Sequence, residues 1–414
     1  MNPLLLDGRA RRIEAQQPTG RRVLRLRDPF AAEHFDYKDA AILRKSADAA
    51  VALRQGFKTA IVVGDPPVET NGFALVAHVD QRFGYLANGD VIAVDTASGR
   101  FRSLYRRSSM HNSFLVTERC NHYCLMCSQP PKDIDDSWII DEISEAIDLI
   151  DPCTESIGFT GGEPLLERHR FIGLLAQMRD RLPLTRVHVL SNGRAFADDA
   201  IATAWAGVQH PDLTVGIPIY SAVDHIHDYV VQAAGALDDT VLGILRLKDK
   251  GQRVEIRLVL HAITVPRLRE TCEWLARNLP FVDHIALMGL ENTGFTLANQ
   301  DLLWIDPLDY GDDLTAGVWA LKRAGLHVSV YNLPLCLLDR SIWNVAVQSI
   351  SDWKNAYLPV CDECAVRNRC AGFFASGRPR ASRGVHPISD PQAANTFCSQ
   401  TSPTIPRNRG NSTA

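Results

Sequence analysis

The sequence predicts an α/β fold in which a run of parallel strands curls into a partial barrel. Between residues 111 and 300, six short apolar segments alternate with longer segments whose apolar residues recur at positions i, i+3 and i+4. Near-continuous apolar strands that alternate with amphipathic helices form parallel sheets with right-handed crossovers. We therefore predict a partial (β/α)6 TIM-like barrel over residues 111–300, with a small N-terminal α+β domain and a cysteine-rich C-terminal extension.

The N-terminal region, residues 1–110, is predicted to form an α+β or β-rich domain. Seven arginines lie between Arg9 and Arg27, which favours a solvated, partly disordered arm, with a contact to an acidic partner as the alternative. Residues 39–56 carry apolar residues at helical spacing and end at a glycine, which predicts a helix. Strand-like runs separated by turn residues follow at 59–64, 73–79, 84–89 and 90–99.

The predicted barrel strands are the apolar runs 113–117, 156–160, 186–191, 213–220, 254–260 and 284–289. The predicted helices between them are 141–150, 170–182, 198–208, 238–250 and 267–279. Polar residues follow the strands directly, and this carboxyl edge is where parallel α/β folds bind ligands. Residues 301–414 predict a helix over 309–325, a strand over 327–333, a helical run near 337–357 and a loose tail.

The composition is that of a soluble globular protein. Hydrophobic residues make up 46% of the chain and charged residues 22%. The net charge of −4 gives no bulk attraction to nucleic acid or to an anionic membrane. The apolar run near the start is too short for a signal peptide, and no run approaches the roughly 18 residues of a membrane span. We therefore expect a cytoplasmic protein that binds neither nucleic acid nor a membrane.

Six of the ten cysteines fall into two tight groups, which in a reducing compartment indicates metal or redox ligands. In the first group, Cys120, Cys124 and Cys127 are separated by three and then two residues, directly after the first predicted barrel strand. No fourth cysteine follows nearby. A [4Fe–4S] cubane on these three thiolates would keep one iron open, as reactive metal sites do. A structural zinc loop with a distant fourth ligand is the alternative.

This cysteine spacing resembles the motif of the radical S-adenosylmethionine (SAM) superfamily. A second motif agrees with it, because the second predicted strand ends in Gly161, Gly162, Glu163 and Pro164. Glycines allow close backbone approach to a ligand. In the superfamily this motif holds the methionine amino group while SAM chelates the open iron. The resemblance implies a [4Fe–4S] cluster on the three cysteines and reductive cleavage of SAM to a 5′-deoxyadenosyl radical. It also implies a ferredoxin- or flavodoxin-like electron donor.

The resemblance implies further SAM contacts from other parts of the barrel, at Met126, Ser191, Asn192, Ser221 and Arg257. Met126 stands where the superfamily usually has an aromatic residue that packs on adenine. The Ser191–Asn192 pair resembles a turn beside SAM, and Ser221 could reach the ribose. Arg257 could face the SAM carboxylate, or it could form an ion pair inside the barrel with Glu255 or another acid.

The second cysteine group resembles the SPASM/twitch extensions of radical SAM enzymes that modify peptides. Cys361, Cys364 and Cys370 match the start of that pattern, but Phe374 stands where the next cysteine is usual. The resemblance therefore implies one auxiliary [4Fe–4S] cluster, for which Cys336 is the expected fourth ligand and Cys398 the spare. Structural zinc on the same four residues is the alternative.

The strings NSFLVTERCNHYCLMCSQPPK, TGGEPLL, YNLPLCLL and CAVRNRCAGFF are similar to the His-Xaa-Ser system radical SAM maturases (HxsC-type), over roughly residues 85–375. That family implies modification of a ribosomally made peptide or small protein alongside a partner radical SAM protein. Residues 1–110 could recognise a leader peptide or brace the barrel. A small-molecule or RNA substrate would use the same core motifs, although the near-neutral charge disfavours RNA. A zinc-binding interaction module would not explain the GGEP motif.

Overall fold

The computed structural model describes residues 5–16, 20–31, 35–348, 356–374 and 380–390. The first eight strands are β1 (Asp7–Arg9), β2 (Arg12–Ala15), β3 (Arg21–Arg27), β4 (Asp39–Leu43), β5 (Thr59–Val63), β6 (Leu75–Val79), β7 (Val91–Asp95) and β8 (Arg100–Tyr105). They form one mixed sheet in the spatial order β1-β8-β7-β3-β4-β5-β6-β2. The strands β3 to β6 are parallel, and the remaining pairs are antiparallel.

The second sheet is parallel throughout and also has eight strands. They are β9 (Asn112–Leu115), β10 (Ser156–Thr160), β11 (Arg186–Leu190), β12 (Leu213–Pro218), β13 (Arg253–Leu260), β14 (His284–Gly289), β15 (Val328–Tyr331) and β16 (Ala346–Val347). Each strand pairs with the next one along the chain, so the sheet advances in one direction. This order is the partial α/β barrel that the alternating pattern predicts.

The α-helices are α1 (Ser46–Gln55), α2 (Trp138–Ile147), α3 (Arg168–Arg181), α4 (Asp199–Gly207), α5 (Asp224–Val231), α6 (Ala236–Asp249), α7 (Leu268–Asn278), α8 (Phe295–Ala298), α9 (Gln300–Leu303) and α10 (Gly311–Arg323). The six helices predicted from residue 141 to residue 325 correspond to α2, α3, α4, α6, α7 and α10. In the described part of the chain, every helix falls short of the length or the apolarity that a membrane span requires.

Three predictions for the N-terminal region are wrong. The arginine-rich segment contributes β1, β2 and β3 to the sheet, and it can do so because the guanidinium groups pair with carboxylates; Arg25 and Arg27 both bond to the buried Asp39. Residues 39–56 are not one helix, since 39–43 form the fully buried β4 and only Ser46–Gln55 is helical. Residues 84–89 form turns instead of a strand.

The six predicted barrel strands are confirmed, and the sheet continues past residue 300. The predicted strand over 327–333 is β15, the seventh strand. The predicted helix near 337–357 is wrong in its described part, where short 3-10 turns lead into β16. Apolar residues in this segment are buried through packing on the barrel, for example Ile342 and Trp343, and not through one face of a long helix. Residues 349–355 of that prediction lie outside the described residues.

The two faces of the parallel sheet differ in burial. Alternate residues such as Val187, Val189 and Ile256 are fully buried in the main core against the helices. The residues between them face the inside of the partial barrel, and most are only partly buried: Gly158, Thr160, His188, Leu190, Pro218, Arg257, Val259, Met288 and Tyr331. A complete barrel of this type is filled by layers of side chains. Because the inner side chains of this partial barrel stay partly exposed, its interior is open and not filled by packed layers.

The first sheet packs on α2 of the barrel through aromatic and ionic contacts. The guanidinium of Arg21 lies 3.4 Å from the ring centroid of Trp138, and that of Arg102 lies 4.8 Å from it. Glu142, one turn further along α2, is 3% exposed and forms ion pairs with Arg102 and Arg21. Burial, followed by the nearby charge of Arg100, lowers the pKa of Arg102 to about 10.

We predict that Glu142→Ala destabilises the protein by about 3 kcal/mol, because removal of one partner leaves the Arg102 charge buried without compensation. The matched control is Glu145→Ala on the exposed side of the same helix, for which we expect a change within about 0.5 kcal/mol. Urea unfolding followed by circular dichroism measures both values. Equal stabilities of the two variants would contradict the assigned ion pair.

Candidate functional site

The first cysteine group lies on a loop that follows β9 at the carboxyl edge of the parallel sheet. Neighbouring elements hold the loop through its backbone. The N–H groups of Tyr123 and Leu125 donate to the carbonyls of Val231 and Val230 at the end of α5, at 3.1 and 2.9 Å. On the other side, the Phe295 N–H donates to the Cys127 carbonyl at 2.9 Å. The loop is thereby fixed between the end of α5 and the start of α8.

The three thiols of this loop lie close together and are partly buried. Burial, together with the nearby Glu163 and Cys127, raises the pKa of Cys120 to about 11. Burial and the neighbouring Cys127 and Cys120 also raise the pKa of Cys124. Three thiolates in one place are therefore unfavourable without positive charge among them. Iron supplies that charge and deprotonates thiols on binding, so the donor set fits an iron–sulfur cluster.

Among the described residues, no three His, Cys, Asp or Glu side chains are arranged to hold one metal ion. A cubane differs from a single ion because each thiolate binds a different iron. The three thiols form no disulfide. The backbone N–H of His122 donates to the Cys120 sulfur at 3.4 Å, and the Cys127 thiol donates to the Gln129 carbonyl at 3.0 Å.

The GGEP segment packs against the backbone that leads into the first cysteine. The Gly162 N–H donates to the Thr117 carbonyl and the Glu163 N–H donates to the Arg119 carbonyl, each at 2.8 Å. A Cβ atom at Gly161 would lie 2.7 Å from the Thr117 carbonyl oxygen, and one at Gly162 would overlap the Arg119 carbonyl. The glycines therefore permit contact between the two motifs, in addition to any contact with a ligand.

The Glu163 carboxylate joins the ends of β10 and β11. It is 2% exposed, and it accepts hydrogen bonds from the Ser191 hydroxyl at 2.8 Å and from the Asn192 N–H at 2.7 Å. Burial raises the pKa of Glu163. The Asn192 side chain then donates to the Asn121 side-chain oxygen at 2.7 Å, inside the cysteine loop. The predicted residues on the first three strands are thus brought together.

Met126 and Ser221 occupy different surroundings at the same edge. Met126 is buried in a small apolar cluster with Tyr220, Val230 and Leu303, and the partly buried Cys124 packs against it. Burial, and then the thiols of Cys124 and Cys127, raise the pKa of Tyr220. This apolar cluster therefore adjoins the cysteines. Ser221 is 1% exposed, and its hydroxyl accepts the Val223 N–H ahead of α5, so its predicted ribose contact stays a prediction.

Arg257 lies on the inner face of the sheet. Its guanidinium contacts Glu255 on the same strand at 3.3 Å and the Met288 sulfur at 3.2 Å. The structure therefore contains the ion pair that the sequence left as one of two alternatives. The contact with the SAM carboxylate stays a prediction.

Cys336, Cys361, Cys364 and Cys370 lie near one another close to the end of the described chain. Burial raises the pKa of Cys336 to about 11, with further contributions from the nearby Cys370 and Cys361. Burial, Cys364 and Cys361 raise the pKa of Cys370. Backbone N–H groups donate to two of the sulfurs. The Leu335 and Gly372 N–H groups donate to the Cys370 sulfur at 3.3 and 3.4 Å. The Ile388 N–H donates to the Cys364 sulfur at 3.5 Å. Cys398 lies outside the described residues.

A sequence model of the radical SAM superfamily matches residues 114–275. The matched segment extends from β9 to α7 and contains the first cysteine group, the GGEP motif and the Ser191–Asn192 turn. This match confirms the superfamily that the two motifs predict. Residues 114–275 thus match the radical SAM superfamily, whereas the His-Xaa-Ser subfamily and the auxiliary cluster are proposals.

Among curated proteins, the chain is similar to the GTP 3′,8-cyclases of two mycobacteria. It is 27% identical over 177 residues to that of Mycobacterium marinum and 26% identical over 182 residues to that of Mycobacterium ulcerans. Each match covers 40% of this chain and 46% of the relative. The chain thus spans about half the length of the curated relatives it matches.

Two solved structures are similar in part. SuiB from Streptococcus suis bound to S-adenosylmethionine has a TM-score of 0.43 and 13% identity, over 54% of this chain and 51% of that chain. Native anSMEcpe with bound AdoMet has a TM-score of 0.47 and 12% identity, over 69% of this chain and 94% of that chain.

Sequence reasoning missed two of the polar side chains inside the barrel, His188 and His284. His188, Glu255 and His284 lie at alternate positions of apolar strands, where they face the interior together with Arg257. The signal was present in the sequence, because a charged or imidazole side chain in the middle of a buried strand needs a partner. The partners come from other strands, so only the register of the sheet identifies them.

We predict that Gly162→Ala weakens the first cluster site and costs about 2 kcal/mol, because the new methyl group displaces the backbone before Cys120. The matched control is Gly173→Ala within α3, where nothing lies within 4 Å of the new atom and helix propensity favours alanine by up to about 1 kcal/mol. Iron content after anaerobic reconstitution and urea unfolding are the measurements. Full iron loading of Gly162→Ala would show that the packing of the two motifs is dispensable.

Proposed function

We propose that this protein is a radical SAM enzyme that cleaves SAM reductively at a [4Fe–4S] cluster held by Cys120, Cys124 and Cys127. The observation that carries the proposal is the contact between the two superfamily motifs. The GGEP segment is hydrogen-bonded to the residues directly before Cys120, so the cluster ligands and the SAM-binding motif form one unit. The chain match to the superfamily over residues 114–275 supports the same reaction.

When bound, the reduced cluster supplies an electron to SAM, which gives a 5′-deoxyadenosyl radical able to take a hydrogen atom from a substrate. The chain itself contributes position and shielding. Glu163 fixes the Ser191–Asn192 turn beside the cysteine loop. Met126 and Tyr220 form an apolar wall next to Cys124, which excludes water from the place where a radical would form.

For the substrate we propose a ribosomally made peptide or small protein, as the resemblance to the His-Xaa-Ser maturases implies. The barrel interior supports this proposal, because its lining is partly exposed and polar side chains there can contact a substrate segment. A partner radical SAM protein and a ferredoxin- or flavodoxin-like donor complete the proposed system. Residues 1–110 are proposed to recognise a leader peptide or to brace the barrel through α2.

A nucleotide is the second candidate substrate. It is favoured by one observation, the similarity of the barrel region to two proteins named GTP 3′,8-cyclase. Co-expression with the peptide encoded by a neighbouring gene, followed by mass spectrometry of that peptide, tests the first candidate. Anaerobic incubation of the iron-loaded protein with SAM, dithionite and GTP tests the second. A mass change in the peptide without consumption of GTP supports the peptide, and the reverse result supports the nucleotide.

We predict that Cys124→Ala reduces formation of 5′-deoxyadenosine from SAM to background, because a cubane that loses one of three protein ligands is no longer held. The matched control is Cys153→Ala, since Cys153 is exposed and outside both cysteine groups. Its 5′-deoxyadenosine formation should equal that of the wild type. Chromatography of dithionite-reduced reactions measures the product, and its persistence in Cys124→Ala would falsify the cluster assignment.

We further propose that Cys336, Cys361, Cys364 and Cys370 hold a second [4Fe–4S] cluster, with zinc as the alternative. The mutual proximity of the thiols supports the proposal, as do the backbone N–H groups that point at Cys364 and Cys370. Such donors stabilise cluster sulfurs and tune cluster potentials. Four protein ligands would leave this cluster without an open iron, so it would not bind SAM.

We predict that Cys336→Ala lowers the iron content of the reconstituted protein from about eight to about four atoms per chain, because it removes the fourth ligand of the second cluster. Cys398→Ala is the control and should retain about eight iron atoms. Iron and zinc analysis together with absorbance near 400 nm measure the outcome. Loss of iron in Cys398→Ala but not in Cys336→Ala would reverse the ligand assignment, and stoichiometric zinc in the wild type would favour the alternative.

A further inference from the structure

A row of polar side chains crosses the inner face of the parallel sheet. The row lies closer to the amino ends of the strands than the loops that carry the first cysteine group and the GGEP motif. It consists of His188 on β11, Glu255 on β13, His284 on β14 and Ser329 on β15. We propose that this row is a substrate subsite in which His188 Nδ1 accepts a hydrogen bond, and then a proton, from an O–H or N–H group of the substrate. The inference rests on the proposed function, which supplies a substrate in the open barrel.

Glu255 is the centre of the row. Its carboxylate lies 2.8 Å from His284 Nδ1, 3.4 Å from His188 Nε2 and 3.3 Å from the Arg257 guanidinium. Burial opposes ionisation of Glu255, but the imidazoles and Arg257 outweigh it and hold the pKa of Glu255 well below its usual value. The carboxylate is therefore charged and can only accept hydrogen bonds. His284 Nδ1 is hydrogen-bonded to it, whereas His188 Nε2 makes an ion-pair contact and no hydrogen bond. Because the carboxylate would repel a nitrogen lone pair, the nitrogen that faces it carries the proton in each imidazole.

The position of the proton determines which nitrogen of each histidine is left to accept a hydrogen bond. His284 is 3% exposed and uses both nitrogens, because Nδ1 faces Glu255 and Nε2 lies 2.9 Å from the Ser329 hydroxyl. His188 faces Glu255 with Nε2, so in its neutral form the lone pair is on Nδ1. Nδ1 forms no hydrogen bond with any described residue, and 31% of the side chain is exposed in the barrel interior. His188 is thus the imidazole that a substrate can reach.

Gly216 on β12 provides the space for this arrangement. A Cβ atom there would lie 3.1 Å from His188 Cε1 and 3.1 Å from Arg257 Cδ. A side chain at this position would crowd both residues, and each would have to shift by a few tenths of an ångström. Gly216 pairs with Glu255 on the neighbouring strand. The glycine therefore allows side chains from the two flanking strands to meet over the strand between them. A geometry built in this way fits a subsite better than a chance ion pair.

Carbethoxylation by diethyl pyrocarbonate tests the free Nδ1 without relying on turnover, because the reagent modifies accessible unprotonated imidazoles. We expect labelling of His188 but not of His284 in the full-length, iron-loaded protein, mapped by peptide mass spectrometry. Glu255→Gln should change the labelling rate of His188 about threefold or more, because the neutral amide no longer holds the proton on Nε2 and the lone pair is no longer confined to Nδ1. The exposed His225 is the internal reference and should react at the same rate in both proteins.

Protection of His188 under conditions that fully label His225 would overturn the inference, as would an unchanged labelling rate in Glu255→Gln. A second measurement uses the peptide identified by co-expression. We expect His188→Gln to lower the ratio of modified peptide to 5′-deoxyadenosine about tenfold or more. The matched control is His210→Gln, a buried histidine outside the row that accepts the Asp212 N–H and should leave the ratio unchanged.

The two proposals fail in different ways. Absence of 5′-deoxyadenosine from the wild type would contradict the proposed function, whereas the labelling experiment would still decide whether His188 is free and oriented by Glu255. Normal 5′-deoxyadenosine formation with an unchanged product ratio in His188→Gln would contradict only the subsite.

Discussion

The contact between two backbone segments at the carboxyl edge of the parallel sheet is the constraint on which the site depends. Residues 161–163 lie directly on residues 117–120, and the two glycines remove the side chains that would separate them. The position of the first cysteine is therefore set by the end of the neighbouring strand, and not by the loop alone. Glu163 extends the constraint to β11 through Ser191 and Asn192. Three consecutive strands thus determine one cluster site.

Much of the fold could be predicted because its signals are local. The six barrel strands and their helices follow from apolar periodicity, and the cysteine and GGEP motifs identify the edge that binds ligands. The prediction failed where tertiary contacts override local pattern. Arg25 and Arg27 lie in a strand because both pair with the buried Asp39, which comes from another strand. Residues 39–43 have helical spacing, but they lie between two strands and are fully buried on both faces.

In the candidate site, too, local motifs predict some residues, whereas others are identified only by the tertiary packing. The cysteines and the GGEP motif have fixed spacing and need no knowledge of the sheet. The fourth thiol of the second group was predicted only through the resemblance, because Cys336 is 25 residues before Cys361 and the packing of the last segment brings it near Cys370. The polar row needed still more, since His188, Glu255 and His284 come from three strands. Their meeting depends on the parallel register of β11 to β14.

The open interior reduces the apolar surface that the barrel buries on folding. A packed barrel would bury apolar side chains on both faces of each strand, whereas this one replaces them with Gly158, Gly216 and partly exposed polar residues. The lost burial is offset elsewhere, by the outer core of the barrel and by the packing of the first sheet on α2. A lining of this kind contributes little to stability, and it keeps a charged carboxylate where desolvation is unfavourable. Such an arrangement agrees with the proposed substrate in the barrel interior, because polar groups of that substrate would form hydrogen bonds with the partly exposed lining.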